Sequence, residues 1–439
     1  MHPRPLVPIV RGVLVIFVAL YALQILSPLR LNTDSGRLLS MAVSAVEGHG
    51  FLVDGQPDPF PEGYPLLLAG LIRTGLGSTP WINTFNILCV LGSLLVFHSI
   101  LKPVVDFPAR IVLCLLPLAS WVWIKHAAIP LSENAYLLLS MGALLLASRA
   151  RLVPASFSWC WWLGALLLAV AAWRIRTVGL TLVAAVAVAA MIQPAVWCLA
   201  NKQRRAVLAF AAALVLMLGV LLARPWFFAT SAESASSSYL AQAREGRQIG
   251  WLSYLTSSFD SHLRELGEIF LNFPSTRFPF FTPLLWIAGA VGLSLVVAGL
   301  PRLARRLPAL AVYAGFYLTL ILFWPFYDPR FWMPLLPIMF LCGWLALENV
   351  VFHSAVRRAV TIWAVVFVAL GLGAESFNVR IALAGSQFPL VYGDAATRDT
   401  YRVAFGEIPA GDSSAVDQRA LRLLRRFEPR ARGPHGVAP

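Results

Sequence analysis

Apolar runs of about 20 residues recur along this chain, each closed by a short polar or basic stretch, and that length is what one helix needs to cross a bilayer. They predict spans at 8–27, 81–101, 111–128, 131–148, 158–173, 177–198, 207–224, 279–300, 309–326, 331–347 and 359–373. An odd number of spans puts the two termini on opposite faces. Tyr64–Leu76 is also apolar, but at about 13 residues it is too short to cross and reads as a juxtamembrane or re-entrant helix. The predicted fold class is an all-α polytopic membrane protein of about 11 transmembrane helices. Residues 1–373 form the transmembrane domain, with long loops at 28–80 and 225–279, and 374–439 form a short polar tail.

The stretch from Leu31 to Leu68 breaks the apolar pattern most sharply. It holds Asp34, Glu47, Asp54, Asp58 and Glu62 in a chain that has only 21 acidic residues. Just past the first span, Arg37–Val46 places Leu38, Met41, Ala42, Ala45 and Val46 on one helical face, and Gly48-His49-Gly50 stops the helix. A polar loop follows, in which Pro61, Gly63 and Pro65 frame Tyr64. An amphipathic helix beside a span lies in the interface plane, so Asp34 is held at head-group depth. The second long loop opens on Ser231, Ser234 and Ser236–Ser238, continues through Tyr239, Trp251 and Tyr254, and ends in an amphipathic patch from Leu252 to Phe270. In the tail, Asp412–Phe427 predicts a short capped amphipathic helix.

Composition agrees with the membrane reading. The chain is 59% hydrophobic and 13% charged, with a mean hydropathy of +0.73, more apolar material than a soluble core can use. The first run is too long for a signal-peptide core and no small-residue cleavage site follows it, so it is expected to stay as a span. None of the five cysteines forms a Cys-x-x-Cys pair, which argues against a zinc or disulfide framework. The net charge of +14 would suit a nucleic-acid partner, but its distribution points elsewhere. Six short segments (to Arg11, Lys102–Arg110, Arg149–Phe157, Leu199–Ala206, Pro301–Pro308 and Glu348–Arg358) hold 14 of the 35 Lys and Arg, with only Asp106 and Glu348 as acids. The opposite side, without the tail, holds equal numbers of bases and acids. This is the positive-inside asymmetry, so the basic set faces the cytoplasm and Asp34 faces out.

Several polar groups then collect on that outer side. Glu133 opens a span in IPLSEN, Lys125 and His126 precede it, Arg174 and Arg176 lie in the turn between two spans, and Arg330 sits in YDPRFWMPLLP. Each has an ordinary alternative. Asn32, Thr33 and Asp34 are all good N-caps, Ser132 or Glu133 can open a first turn, and the cations can snorkel to the interface. Taken together they suit a lipid-linked phosphate. Arg grips phosphate bidentately and Lys as a point charge. A carboxylate in the same layer can deprotonate an acceptor hydroxyl or hold a divalent cation against a phosphate. There is no P-loop, no dinucleotide glycine motif and no His-Glu-x-x-His.

In order, these motifs resemble the GT-C glycosyltransferases, in particular the group of protein O-mannosyltransferases and lipid A aminoarabinose transferases. The likeness rests on Asp34–Phe51, on PEGYPLLLAGLIRTGLG at Pro61–Gly77 (similar to that family's Pro-Pro-x-Tyr-Pro segment), on LSENAYLLL at Leu131–Leu139, on AAWRIRTVGLTL at Ala171–Leu182, and on Arg330–Pro337. It covers about residues 8–350. The chain departs from the family in having Asp34-Ser35 where many relatives have two adjacent acids, Glu62 in place of the second proline, and a tail too short for a large outer domain.

The resemblance implies an integral-membrane enzyme that transfers a sugar from a polyprenyl-phosphate or diphosphate donor to a glycan, lipid or protein acceptor. The reaction would occur at the outer face of the cytoplasmic membrane. Asp34 would be the general base or would orient the acceptor, assisted by Glu133, directly or through a divalent cation (Mg, Mn or Zn) held by the two. Lys125, His126, Arg174, Arg176, Arg330 and Tyr64 would bind substrate. The competing expectations are a transporter or flippase of a lipid-linked solute, which would need charges or broken helices near the midplane, and a non-catalytic scaffold subunit. If Asp34 is only a cap, the base would have to be Glu133, Asp54 or Asp58.

Overall fold

The computed structural model describes residues 6–192, 201–202, 204–205, 250–274, 282–322, 324, 326–348, 353–392, 395–409 and 416–431. The predicted span 207–224, the serine-rich start of the second loop with Tyr239, the end of span 177–198 and the residues after 431 lie outside them. The protein is an all-α polytopic membrane protein. Among the described residues five helices are long and apolar enough to cross a bilayer: Pro8–Leu26, Thr79–Leu101, Ser158–Ile175, Thr282–Arg306 and Ser354–Ala382. Shorter apolar helices cover Gly63–Arg73, Phe107–Ala119, Gly179–Ile192, Pro308–Leu322 and Leu336–Leu347.

The described residues fall into two compact units. The first comprises Met1–Leu91, Trp123–Ala135 and Leu372–Pro439. It contains α1 (Leu6–Leu23), α2 (Thr33–Val46), a two-stranded hairpin (β1, Leu52–Val53; β2, Gln56–Pro57) and α3 (Gly63–Arg73). α2 starts and ends on its own sequence signals. Asn32 accepts from Ser35 N–H while the Ser35 hydroxyl accepts from Asn32 N–H, a reciprocal capping box. At the other end Gly48 takes φ +86°, Gly48 N–H donates to Ala45 O at 3.4 Å and His49 N–H to Ser44 O at 3.0 Å. That is a Schellman close, which needs the left-handed conformation glycine adopts without strain. The amphipathic helix predicted at Arg37–Val46 is thus present, with its start moved back four residues by the cap. α3 packs against α2.

The C-terminal residues are folded back onto this unit. The helix predicted at Asp412–Phe427 begins at Gln418 and is capped by Asp417, whose carboxylate accepts from Arg419 and Ala420 N–H. Its apolar face (Leu421, Leu423, Leu424, Phe427) is buried and packs on α2. Glu428 accepts from Leu29 N–H at 2.9 Å, and Thr79 Oγ1 donates to Phe427 O at 2.8 Å. The buried Tyr401 hydroxyl accepts from Leu31 N–H at 2.8 Å and donates to Leu29 O at 2.9 Å. The chain entering α2 is therefore held by residues about 370 positions away in sequence.

The second unit comprises Gly92–Val122 and Tyr136–Gly371. Predicted span 111–128 is not one helix. Phe107–Ala119 ends at Ser120, which is extended, and a short helix, Trp121–His126, follows. Pro117 inside the first piece removes a donor and crowds the preceding turn. Asn272 bridges the break: its Oδ1 accepts from Trp121 N–H at 2.7 Å and its Nδ2 donates to Ala119 O at 2.9 Å and Phe367 O at 2.7 Å. The amphipathic patch predicted at Leu252–Phe270 forms the helix Trp251–Leu271, which packs on Thr282–Arg306. Predicted span 331–347 opens as a 3-10 turn, Pro329–Trp332, before Leu336–Leu347. Predicted span 359–373 is the core of a longer helix, Ser354–Ala382.

Candidate functional site

Two groups of candidate residues are formed, one in each unit. In the first, Asp34 occupies the second position of α2 and is half-buried. Asn32, not Asp34, is the N-cap of α2. A carboxylate there is still favoured by the helix N-terminus. Glu133 lies in the first turn of Ser132–Arg149 and is only 2% exposed. The turn that leads into it is held by Asn134, whose Nδ2 donates to His126 O at 3.2 Å and Ile129 O at 3.4 Å. Ser132 Oγ donates to Glu133 Oε2 at 3.3 Å.

Tyr64 is fully buried and its hydroxyl donates to Asn86 Oδ1 at 2.8 Å. Burial pushes the phenol well above its ordinary range, the Asn86 bond opposes this, and the charge of nearby Glu133 adds to it. Of the neighbouring pair, Lys125 is exposed and His126 is buried. The two alternative bases are committed elsewhere. Asp58 pairs with Arg37 at 2.7 Å and accepts from Phe60 N–H, and Asp54 pairs with Arg419 and Arg422. No cluster of three His, Cys, Asp or Glu side chains forms among the described residues. The two carboxylates offered for a divalent cation thus gain no third such ligand there.

In the second unit, Arg174 is exposed in the last turn of Ala155–Ile175, and Arg176 caps that helix in an extended conformation. The turn is tight: Gly179 N–H donates to Arg176 O at 2.9 Å, and a Cβ on Gly179 would stand 2.5 Å from Trp173 Cα. Only glycine lets the next helix start so close, which explains the Arg-Thr-Val-Gly spacing. Arg330 lies in the 3-10 turn that Asp328 caps. Asp328 Oδ1 accepts from Arg330 N–H at 3.0 Å and Oδ2 pairs with Arg330 Nε at 2.8 Å. Arg176 and Arg330 converge on the Phe331 ring, at 5.6 and 5.2 Å from its centroid. Cation–π contact orients a guanidinium. The structure thus brings Arg176 and Arg330 together.

Sequence reasoning missed the buried His262–Glu265 pair beside this turn. Its signal was the spacing of three on an amphipathic helix.

No protein-family model matches the chain, and no curated protein sequence matches it. Among solved structures, ArnT from Cupriavidus metallidurans bound to undecaprenyl phosphate aligns over 95% of this chain and 85% of its own, with a TM-score of 0.50 and 14% identity. The apo state of the same protein aligns over 90% and 68%, with a TM-score of 0.49 and 16% identity. The chain shares this GT-C-like fold.

Proposed function

We propose that this protein is an integral-membrane glycosyltransferase that moves a sugar from a polyprenyl-phosphate donor to an acceptor hydroxyl at the outer face of the cytoplasmic membrane. The observation that carries the reading is the pairing of Arg176 and Arg330 on Phe331, in a fold whose ArnT counterpart holds undecaprenyl phosphate. The Lys/Arg asymmetry supports the side of the membrane.

In this mechanism Asp34 takes the proton of the acceptor hydroxyl, and the acceptor oxygen attacks the anomeric carbon. The bond from that carbon to the donor phosphate breaks with inversion, and the electron pair leaves on the phosphate. Arg176 and Arg330, with Arg174, carry the charge of that leaving group. Donors preset for charge that develops in the transition state supply a large share of the barrier reduction. Glu133 orients the acceptor. Tyr64 shapes the pocket wall rather than donating to substrate, since its hydroxyl is bound to Asn86.

The test is a polyprenyl-phosphate sugar labelled in the sugar and supplied to proteoliposomes with an envelope fraction as acceptor source. Label that leaves the prenyl chain and enters a new glycoside supports the transferase. Label that crosses the bilayer still joined to its prenyl phosphate would support a flippase instead.

A further inference from the structure

A buried His–Glu pair bonds to residues on both sides of Arg330. His262 and Glu265 lie three residues apart on one face of Trp251–Leu271, at 0% and 6% exposure. His262 Nδ1 is 2.7 Å from Glu265 Oε2, and His262 Nε2 is 2.8 Å from Trp324 O. Both ring nitrogens are therefore engaged, one by a carboxyl oxygen and one by a backbone carbonyl. Trp332 Nε1 donates to the same Glu265 Oε2 at 3.0 Å, and Glu265 Oε1 is buried with no hydrogen-bond partner among the described residues.

The pair therefore ties Trp324 through the imidazole and Trp332 through the indole. Between these anchors Asp328 engages Arg330, and Tyr317 Oη donates to Phe331 O at 2.8 Å. The His262 ring also packs against Tyr327 and Trp332, at centroid distances of 5.2 and 6.1 Å. An apolar pair would fill this space without the cost of burying polar groups. What the hydrogen-bonded pair adds is direction: its bonds fix the Trp324 carbonyl and the Trp332 indole N–H.

We infer that His262 and Glu265 are positioning residues that set the Arg330 guanidinium for the donor phosphate. This rests on the proposed role of Arg330.

The test combines kinetics with amide exchange. Glu265→Gln keeps an acceptor for Trp332 but removes the charge, and Trp332→Phe removes the indole N–H together with part of the buried ring. The second variant serves if the first fails to fold. Each is expected to lower kcat/KM for the polyprenyl-phosphate sugar about 10- to 100-fold, the scale of a misplaced catalytic contact, with the donor KM rising. In an Arg330→Ala background the same changes should cause no further loss. Equal losses in both backgrounds would make the pair a fold element only and overturn the inference. Amide exchange at 328–333 should quicken in Trp332→Phe and stay unchanged in Leu336–Leu347, and unchanged exchange at 328–333 would also overturn it. If Arg330→Ala alone leaves donor use intact, the phosphate role of Arg330 falls, and with it the inference, whereas the exchange data still report whether the tether exists.

Discussion

The two units hold their candidate groups by different means. Leading into Asp34 and Glu133 the scaffold is a set of backbone braces: a capping box, the Asn134 amide, the Tyr401 hydroxyl bonded to Leu29 and Leu31, and Glu428 on Leu29 N–H. Around Arg330 it grips side chains, with Asp328, the Phe331 ring and the His262–Glu265 pair. Under the proposed mechanism the two tasks differ. A general base has to stand within reach of the acceptor hydroxyl, which backbone braces secure. A phosphate clamp must stay charged and point in one direction, which carboxylates and rings enforce.

The sharpest test of this contrast is Asp34→Asn. The cap is Asn32, so the substitution leaves the capping box in place and removes a single charge from the first turn. Sugar transfer should fall by about 10²- to 10⁴-fold, the range for losing a general base, while the donor still binds and protein level holds. Transfer near the wild-type rate, measured in proteoliposomes at matched protein, would transfer the base role to Glu133 or end it.

Arg176→Ala should come next. Losing a hydrogen bond to a charged group costs about 1.5–3 kcal/mol, so donor kcat/KM should drop roughly 10- to 150-fold with little change in melting temperature. An interface anchor would show neither loss, and donor titration separates the two cases.

Tyr401→Phe probes the backbone braces rather than the charge. It strands Leu31 N–H and Leu29 O in a buried place, at a cost of about 1–3 kcal/mol. Thermal unfolding in detergent should register it, and activity should fall with it because α2 enters from those residues. A stable but inactive variant would mean that Tyr401 serves Asp34 more directly than as a brace.

The smallest effect is expected from Arg422→Ala. Arg422 is 67% exposed and pairs with Asp54 at 3.2 Å. Exposed pairs are worth about 0.2–1 kcal/mol and are screened by salt. The melting shift should be slight and should vanish at high salt; a large one would mean that the Arg419–Asp54–Arg422 group acts as a unit.

Local signals were legible without coordinates. The apolar runs fixed the membrane class because each backbone polar group in a bilayer must be satisfied within its own helix. The α2 helix, its glycine stop and the tail helix were readable for a similar reason: caps and amphipathic faces act over a few residues. The choice of Asn32 over Asp34 as the cap was not, since three adjacent good caps compete and only the realised backbone decides. Nor could the sequence show that Asp54 and Asp58 are bound by arginines, that the C-terminal residues brace Leu29 and Leu31, that Asn272 bridges a broken span, or that Arg176 and Arg330 meet on Phe331. Those facts join residues up to 399 positions apart. Hydrophobic periodicity says which face of a helix is buried, but not which distant partner covers it, and that choice is made by packing and by the need to satisfy every buried polar group at once.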